Sequence, residues 1–227
     1  MDTIKVERLD HLGIIAGVIK DLGIVEIIDR RIPADGQQEI TTGEAVAAMI
    51  INGLGFSNRP LYLTPQFFEN KPIALLFREG VEAQHFNRSK LGRSLEAVYR
   101  YGVDQLFSEI AVIGCQQEQI DLRFNSLDTS SFSLTGAYDS ETDEQAIKIT
   151  YGHSKDHRPD LKQAVLELMV SQDGGVPIVS QAWDGNAADT VIFKQRAESL
   201  INEFKKIGSP RYLVADSKLY IAVLYRL

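Results

Sequence analysis

The sequence predicts an α/β protein in two parts: a helical N-terminal region over residues 1–118 and a region with a mixed β-sheet over 119–227. Three observations carry this. From Leu12 to about residue 115, apolar residues recur three and four apart, the period of helices with one buried face. From about residue 120 the pattern changes to alternation among Phe, Leu, Thr and Ser, the period of half-buried strands. No internal repeat or low-complexity tract interrupts either part, and 227 residues suffice for one large or two small domains.

The helices follow in order. Leu12, Ile15, Val18, Ile19 and Leu22 share one helical face, with Asp10 as the expected N-cap. Gly23 breaks this helix, and a short second one starts at Ile24 and ends before Pro33. In "TTGEAVAAMIINGLG", Thr41 or Thr42 supplies a cap, Glu44 follows it, and glycine ends the helix. The stretch "LYLTPQFFENKPIALLF" carries two prolines and predicts no clear element. In "SKLGRSLEAVYRYGVDQLFSEIAVIG", Leu91, Leu95, Val98 and Tyr99 define one face, Gly102 marks a turn, and another helix follows.

In the second part, "IDLRFNSLDTSSFSLTG" predicts a strand and "AIKITYGHS" a second. "KQAVLELMVSQDGGVPIVSQAWDG" predicts two strands around a Gly174-Gly175 turn. "NAADTVIFKQRAESLINEFKKIG" predicts a long helix ending at Gly208, and "YLVADS" a last, buried strand. A meander feeding a helix and then a buried strand is the order of a ribonuclease-H-like α/β core, here incomplete.

Net charge is −7, divided as −4 over residues 1–120 and −3 over 121–227, so neither half is basic. That argues against a small, wholly electrostatic nucleic-acid binder. Two local basic runs remain. Residues 85–100 hold four cations (Arg88, Lys90, Arg93, Arg100) and one acid, and residues 145–162 hold four cations, two acids and two histidines. A single cysteine, Cys115, excludes an internal disulfide and fits a cytoplasmic location. No apolar run reaches the roughly 18 residues of a membrane span, and the N-terminus has no signal-peptide pattern.

Few residues are placed for chemistry. Asp128 sits inside a strand, facing the same way as Ser126 and opposite Leu127 and Thr129. It is either an acid on an exposed face or a ligand, because a buried acid needs a partner. Asp216 ends the apolar run Tyr212-Leu213-Val214-Ala215 and is either a cap or turn acid or a second ligand. If the first and last strands are neighbours, the two carboxylates make a hard oxygen site for Mg²⁺ or Mn²⁺. In "YGHSKDHRPDLKQ", His153, Lys155, His157 and Arg158 are donors suited to phosphate, or a solvated charged turn. The His153–His157 pair lacks the further ligands a zinc site needs. In "WDGNAADT", Asn186 or Asp189 caps the following helix. Glycine loops of the nucleotide-binding kinds and the G-x-S-x-G elbow are absent, and Cys115 has no nearby histidine to activate it.

In order, "SLDTSSFSLTG", "YGHSKDHRPDLKQ", "DGNAADT" and "YLVADSKLY" resemble bacterial insertion-sequence transposases with a DDE core. The likeness is to the subgroup with a "G-x-S-K-D-H-R-P-D-L-x-Q" run; it covers essentially the whole chain and is most specific over 125–163 and 212–217. It implies that Asp128 and Asp216 are the first two catalytic acids, which with a Glu hold Mg²⁺ for DNA strand cleavage and transfer. It implies DNA, the ends of the element, as partner. The helical region then serves end binding, with Arg88, Lys90 and Arg93 as its cations, and His153, Lys155, His157 and Arg158 lie near DNA at the active site.

The family's third acid lies in a helix with the spacing Tyr-x-x-Arg-x-x-x-Glu-x-x-x-x-x-x-Lys, which these 227 residues lack; Glu198 and Glu203 precede Asp216 without the Tyr and Arg. After "ADSKLY" the chain continues with the apolar "IAVLYRL". The expectation is therefore a truncated transposase, inactive as a fragment for want of the catalytic Glu. The alternative is a non-enzymatic DNA-binding or dimerising fragment that pairs or competes with intact transposase.

Overall fold

The structure is a computed structural model that describes residues 6–34, 36, 38–138, 146–153, 157–207 and 212–215, with 199–207 described by backbone alone. The protein is mixed α/β. It divides into two compact units, residues 1–106 and 107–227, with the division inside one helix.

The first unit is helical: α1 (Leu12–Asp21), α2 (Ile24–Arg31), α3 (Thr42–Gly53), the short α4 (Thr64–Phe68) and α5 (Ile73–Leu76), α6 (Arg88–Tyr101), and the start of α7 (Val103–Gln117). Gly23 separates α1 from α2 at φ 64°, a left-handed conformation that glycine adopts without a Cβ penalty. A reciprocal capping box starts α3. Thr41 Oγ1 accepts the Glu44 N–H at 3.0 Å, and Glu44 Oε2 accepts the Thr41 N–H at 2.8 Å. The same Glu44 carboxylate accepts the Arg78 guanidinium at 2.6 Å, so one buried acid both caps a helix and pairs a cation. Asp10 is not the cap of α1. It sits at φ 48°, the cap position falls on His11, which makes no side-chain cap bond, and Asp10 accepts Lys71 Nζ at 3.2 Å.

Leu12, Ile19, Ile40, Ile51, Phe68, Phe86 and Leu91 form the core of this unit. The proline-rich stretch supplies a 3-10 turn, α4 and α5, and its Phe68 packs against Phe67, Phe77 and Phe86 with ring centroids 4.8–5.6 Å apart. On α6 the apolar face is only partly used: Leu91 is fully buried, while Leu95 and Tyr99 are 44% and 49% exposed.

The second unit joins the end of α7 to β1 (Phe124–Leu134), β2 (Lys162–Ser171), β3 (Pro177–Trp183), α8 (Asp189–Ile207) and β4 (Tyr212–Ala215). The sheet order is β3-β2-β1-β4. The first three strands are an antiparallel meander, and β4 lies parallel to β1. Gly174 and Gly175, both at positive φ, turn β2 into β3. On one face Leu127, Val165, Met169 and Ile178 pack with Cys115 of α7 and with Ile192 and Phe193 of α8. Burying a side chain such as Ile192 or Phe193 contributes roughly 1.5–3 kcal/mol. The opposite face carries Asp128, Phe132 and Val214, all exposed, and Leu166 and Leu168, half-buried.

The strand expected over "AIKITYGHS" is not one. Only Thr150 bridges to β2, at Gln163. The reason lies in the turn after β3. The Asp184 carboxylate accepts the Lys148 N–H at 2.8 Å, and the Gly185 N–H donates to the Lys148 carbonyl at 2.9 Å. Those bonds satisfy the backbone groups that a strand ladder would use.

Candidate functional site

Strand β1 presents Asp128 on its exposed face. Burial alternates along the strand, with Asn125, Leu127 and Thr129 inward and Asp128 and Ser130 outward. One Asp128 oxygen accepts the Thr129 N–H at 2.7 Å. Thr129 is buried, and its hydroxyl donates to Asp189 Oδ1 at 2.6 Å, which ties the first turn of α8 to the middle of β1. Asp189 is therefore a strand-to-helix tie. Asn186 is exposed in the preceding turn.

Strand β4 pairs with β1 at a constant offset of 88 residues, from Phe124 with Tyr212 to Leu127 with Ala215. Asp128 is the next residue of β1. Asp216, which follows Ala215 at the same offset of 88, lies outside the described residues. Among the described residues, no three His, Cys, Asp or Glu side chains gather as a metal-binding group.

The run 151–163 is organised by two glycines. A Cβ on Gly152 would stand 2.0 Å from the Gly185 carbonyl oxygen, and one on Gly185 would stand 2.0 Å from the Gln163 carbonyl oxygen. Each position thus admits only glycine. Gln163 is buried, and its amide donates to the Gly185 carbonyl at 2.7 Å. This contact brings exposed His153 to a cavity of about 270 Å³ shared with Ser131, Val165 and the first turn of α8. His157 is exposed, with φ 57°. Arg158 pairs with Asp160 through two bonds of 2.8 and 2.7 Å, and that partner holds the Asp160 carboxyl below the usual carboxylate range. Lys155 lies outside the described residues.

The three α6 cations do not form one stripe. At ~100° per residue, Arg88 stands about 140° around the helix from Arg93. Arg88 and Arg93 are exposed, whereas Lys90 is half-buried and bonds Gln38 Oε1. Burial pushes the Lys90 ammonium pKa down and Arg93 adds to this, while Asp29 and Glu44 oppose it. Burial likewise pushes the Cys115 thiol up, away from a reactive thiolate.

Residues 4–112 match the family model of a domain of unknown function, DUF4277. The match takes in the helical unit and ends within α7, before the first strand. No curated protein and no solved structure matches the chain. Among the described residues, no helix is long and apolar enough to cross a membrane.

One charged cluster is not among the sequence candidates. Glu167, fully buried on β2, accepts Arg196 of α8 at 2.6 and 3.1 Å and the Trp183 indole N–H at 2.9 Å. Arg196 also donates to Gln181 Oε1 at 2.6 Å. The sequence signal for it is phase: in "KQAVLELMVS", Glu167 falls in step with the inward Val165 and Met169. Both Glu167 oxygens are engaged within the fold, so the cluster fixes α8 on the sheet.

Proposed function

We propose that the chain is a transposase of the DDE type: a helical DNA-end-binding region followed by the first part of a ribonuclease-H-like core. Asp128 and Asp216 are two of its three metal-holding carboxylates. The observation that supports this reading is the parallel pairing of β1 with β4. Its offset of 88 residues is the separation of the two acids, and Asp128 follows directly on the last paired residue, Leu127. Residues opposite one another in neighbouring parallel strands project from the same face of the sheet.

The donor chemistry fits Mg²⁺ or Mn²⁺. Asp128 is an exposed oxygen donor, one of its oxygens is oriented by the Thr129 N–H, and Mg²⁺ characteristically takes one or two carboxylates and completes its shell with water and phosphate. When bound, the metal would activate a nucleophilic oxygen and stabilise the leaving oxygen at a scissile phosphate. The chain's own part is positional. Thr129 holds the Asp128 carboxylate by its N–H and holds α8 by its hydroxyl, so strand, helix and ligand move as one piece. In this reading the exposed His153, beside the first turn of α8, and Arg158, paired with Asp160, meet the phosphate backbone of the DNA.

The test is Mn²⁺ binding to the purified chain, followed by electron paramagnetic resonance. Saturable binding that is lost in both Asp128→Asn and Asp216→Asn is expected. Binding that survives both substitutions would sink the reading, as would efficient cleavage of an element end by Asp128→Ala.

A second reading is favoured by the exposed Arg88 and Arg93 and by β4 at the edge of the described sheet: a non-enzymatic fragment that binds DNA and pairs with another chain. It requires salt-dependent binding to element ends without metal. No binding at low salt would remove it.

A further inference from the structure

The first unit holds a cleft of about 390 Å³ between the start of α1, the loop after α3 and the end of α4. Arg8, Arg59 and Lys71 line it, with Asp10 as its acid, and Asp10 is already paired with Lys71 at 3.2 Å. Among the described residues, the Arg8 and Arg59 side chains have no hydrogen-bond or ion-pair partner, so the cleft keeps two uncompensated guanidiniums.

The wall is built, not incidental. The Arg8 N–H donates to the Asn70 carbonyl at 2.8 Å. The Asn52 amide clamps Arg59 from both sides, accepting its N–H at 2.8 Å and donating to its carbonyl at 2.6 Å. Gly55 lies against the Phe67 ring, where an added Cβ would stand 2.7 Å from the ring edge. The loop that carries Phe56 and Arg59 is thus fixed by its backbone before any ligand arrives, which lowers the ordering cost of binding.

One feature asks for more than a bare anion. Phe56 is 83% exposed, yet its ring is held 4.0 Å from the His11 ring, which leaves a large aromatic surface open beside the cations. His11 Nε2 lies 2.7 Å from the Leu54 carbonyl, which can only accept, so Nε2 carries the proton. Its Nδ1 is then an acceptor, buried and without a partner. The bond to Leu54 holds the His11 ring in place behind Phe56.

Two guanidiniums for a phosphate and an open aromatic for a ring face describe a nucleotide whose base is not in a duplex. The geometry points to this cleft as a binding site for an unpaired nucleotide, its phosphate on Arg8 and Arg59 and its base on Phe56. The site lies wholly within the helical unit and does not depend on the carboxylate reading.

The experiment uses the full chain in EDTA, so that no metal site contributes, and a fluorescently labelled ten-residue oligothymidylate read by anisotropy. Phe56→Ala and Arg59→Ala each should weaken binding roughly tenfold, the usual loss for one stacked base or one charged contact. Phe56→Trp should keep it. Arg30→Ala, on the exposed side of α2, makes the same change in net charge and should alter binding less than about twofold. All three positions are surface side chains, and an unchanged circular-dichroism melt for each variant shows that it folds. Competition by thymidine monophosphate at micromolar concentration assigns the cleft to free nucleotides, and competition only at millimolar concentration assigns it to a nucleotide within a strand; both support the site. The inference is overturned if Phe56→Ala and Arg59→Ala bind like Arg30→Ala, if inorganic phosphate competes as well as the nucleotide, or if a blunt duplex binds as tightly as the single strand.

Discussion

Removing Arg196 tests how the sheet region is held together. In Arg196→Met the aliphatic stem is largely kept, but the guanidinium is gone. Glu167, with no exposed side-chain surface, then keeps only the Trp183 indole N–H at 2.9 Å of the donors described. Two charge-assisted bonds, at 2.6 and 3.1 Å, are lost at roughly 1.5–3 kcal/mol each. Breaking a buried pair from one side independently costs about 3–5 kcal/mol. The two figures agree, and a loss near 4 kcal/mol is a large share of the ~5–15 kcal/mol that stabilises a domain. Urea unfolding followed by Trp183 fluorescence is the assay, because the chain's one tryptophan sits in this cluster and reports the sheet unit without the helical one. The double variant Glu167→Leu/Arg196→Met removes both charges and should recover at least half of the single loss. A loss below about 1 kcal/mol in Arg196→Met, or strict additivity of the two single changes, would refute a coupled buried pair.

Four other outcomes follow from the geometry. Gly185→Ala places a Cβ 2.0 Å from the Gln163 carbonyl, so the backbone must move; a loss of roughly 1–3 kcal/mol or more is expected by urea unfolding, and a neutral result would refute the contact. Thr41→Ala removes the hydroxyl half of the α3 capping box and should cost about 1 kcal/mol, read as a lower melting temperature of the helical signal. Mn²⁺ binding should fail in Asp128→Asn, as set out for the proposed function. The Asp160 carboxyl should titrate in a carbon-detected NMR series below the ordinary value of roughly 3.9, and Arg158→Gln should return it there. The sign is that of a depressed acid: the small contribution of this pair is present above the ordinary aspartate value and is lost as pH falls through the folded one.

Much of the fold is legible from pattern, because the forces that set it are local. Thr41 with Glu44 writes a helix start, Gly23 a helix break, and Gly174-Gly175 a hairpin, and each acts through its own backbone. What resists reading is set at a distance. "AIKITYGHS" alternates as a strand does, yet Asp184 and Gly185, more than thirty residues on, take up its backbone groups. Asp10 has the chemistry of a cap but not the φ, and Lys71 claims it instead. Glu167 resembles a surface acid until its phase along β2 is compared with Val165 and Met169. For the candidate site, Asp128 facing away from Leu127 follows from the two-residue period, whereas the neighbour across β1 is a property of the sheet.

The pairing of β1 with β4 also sets a clock during synthesis. The meander of β1, β2 and β3 can close as soon as β2 and β3 emerge, but the outer edge of β1 must wait for a partner 88 residues later. At ~5–20 residues per second, that edge stays unpaired for about 4–18 s on each nascent chain. Pairing over so long a separation is also slow in itself, since the closure of the intervening loop must precede any gain from contact. Translation speed across α8 therefore decides how long neighbouring chains on one message can exchange strands.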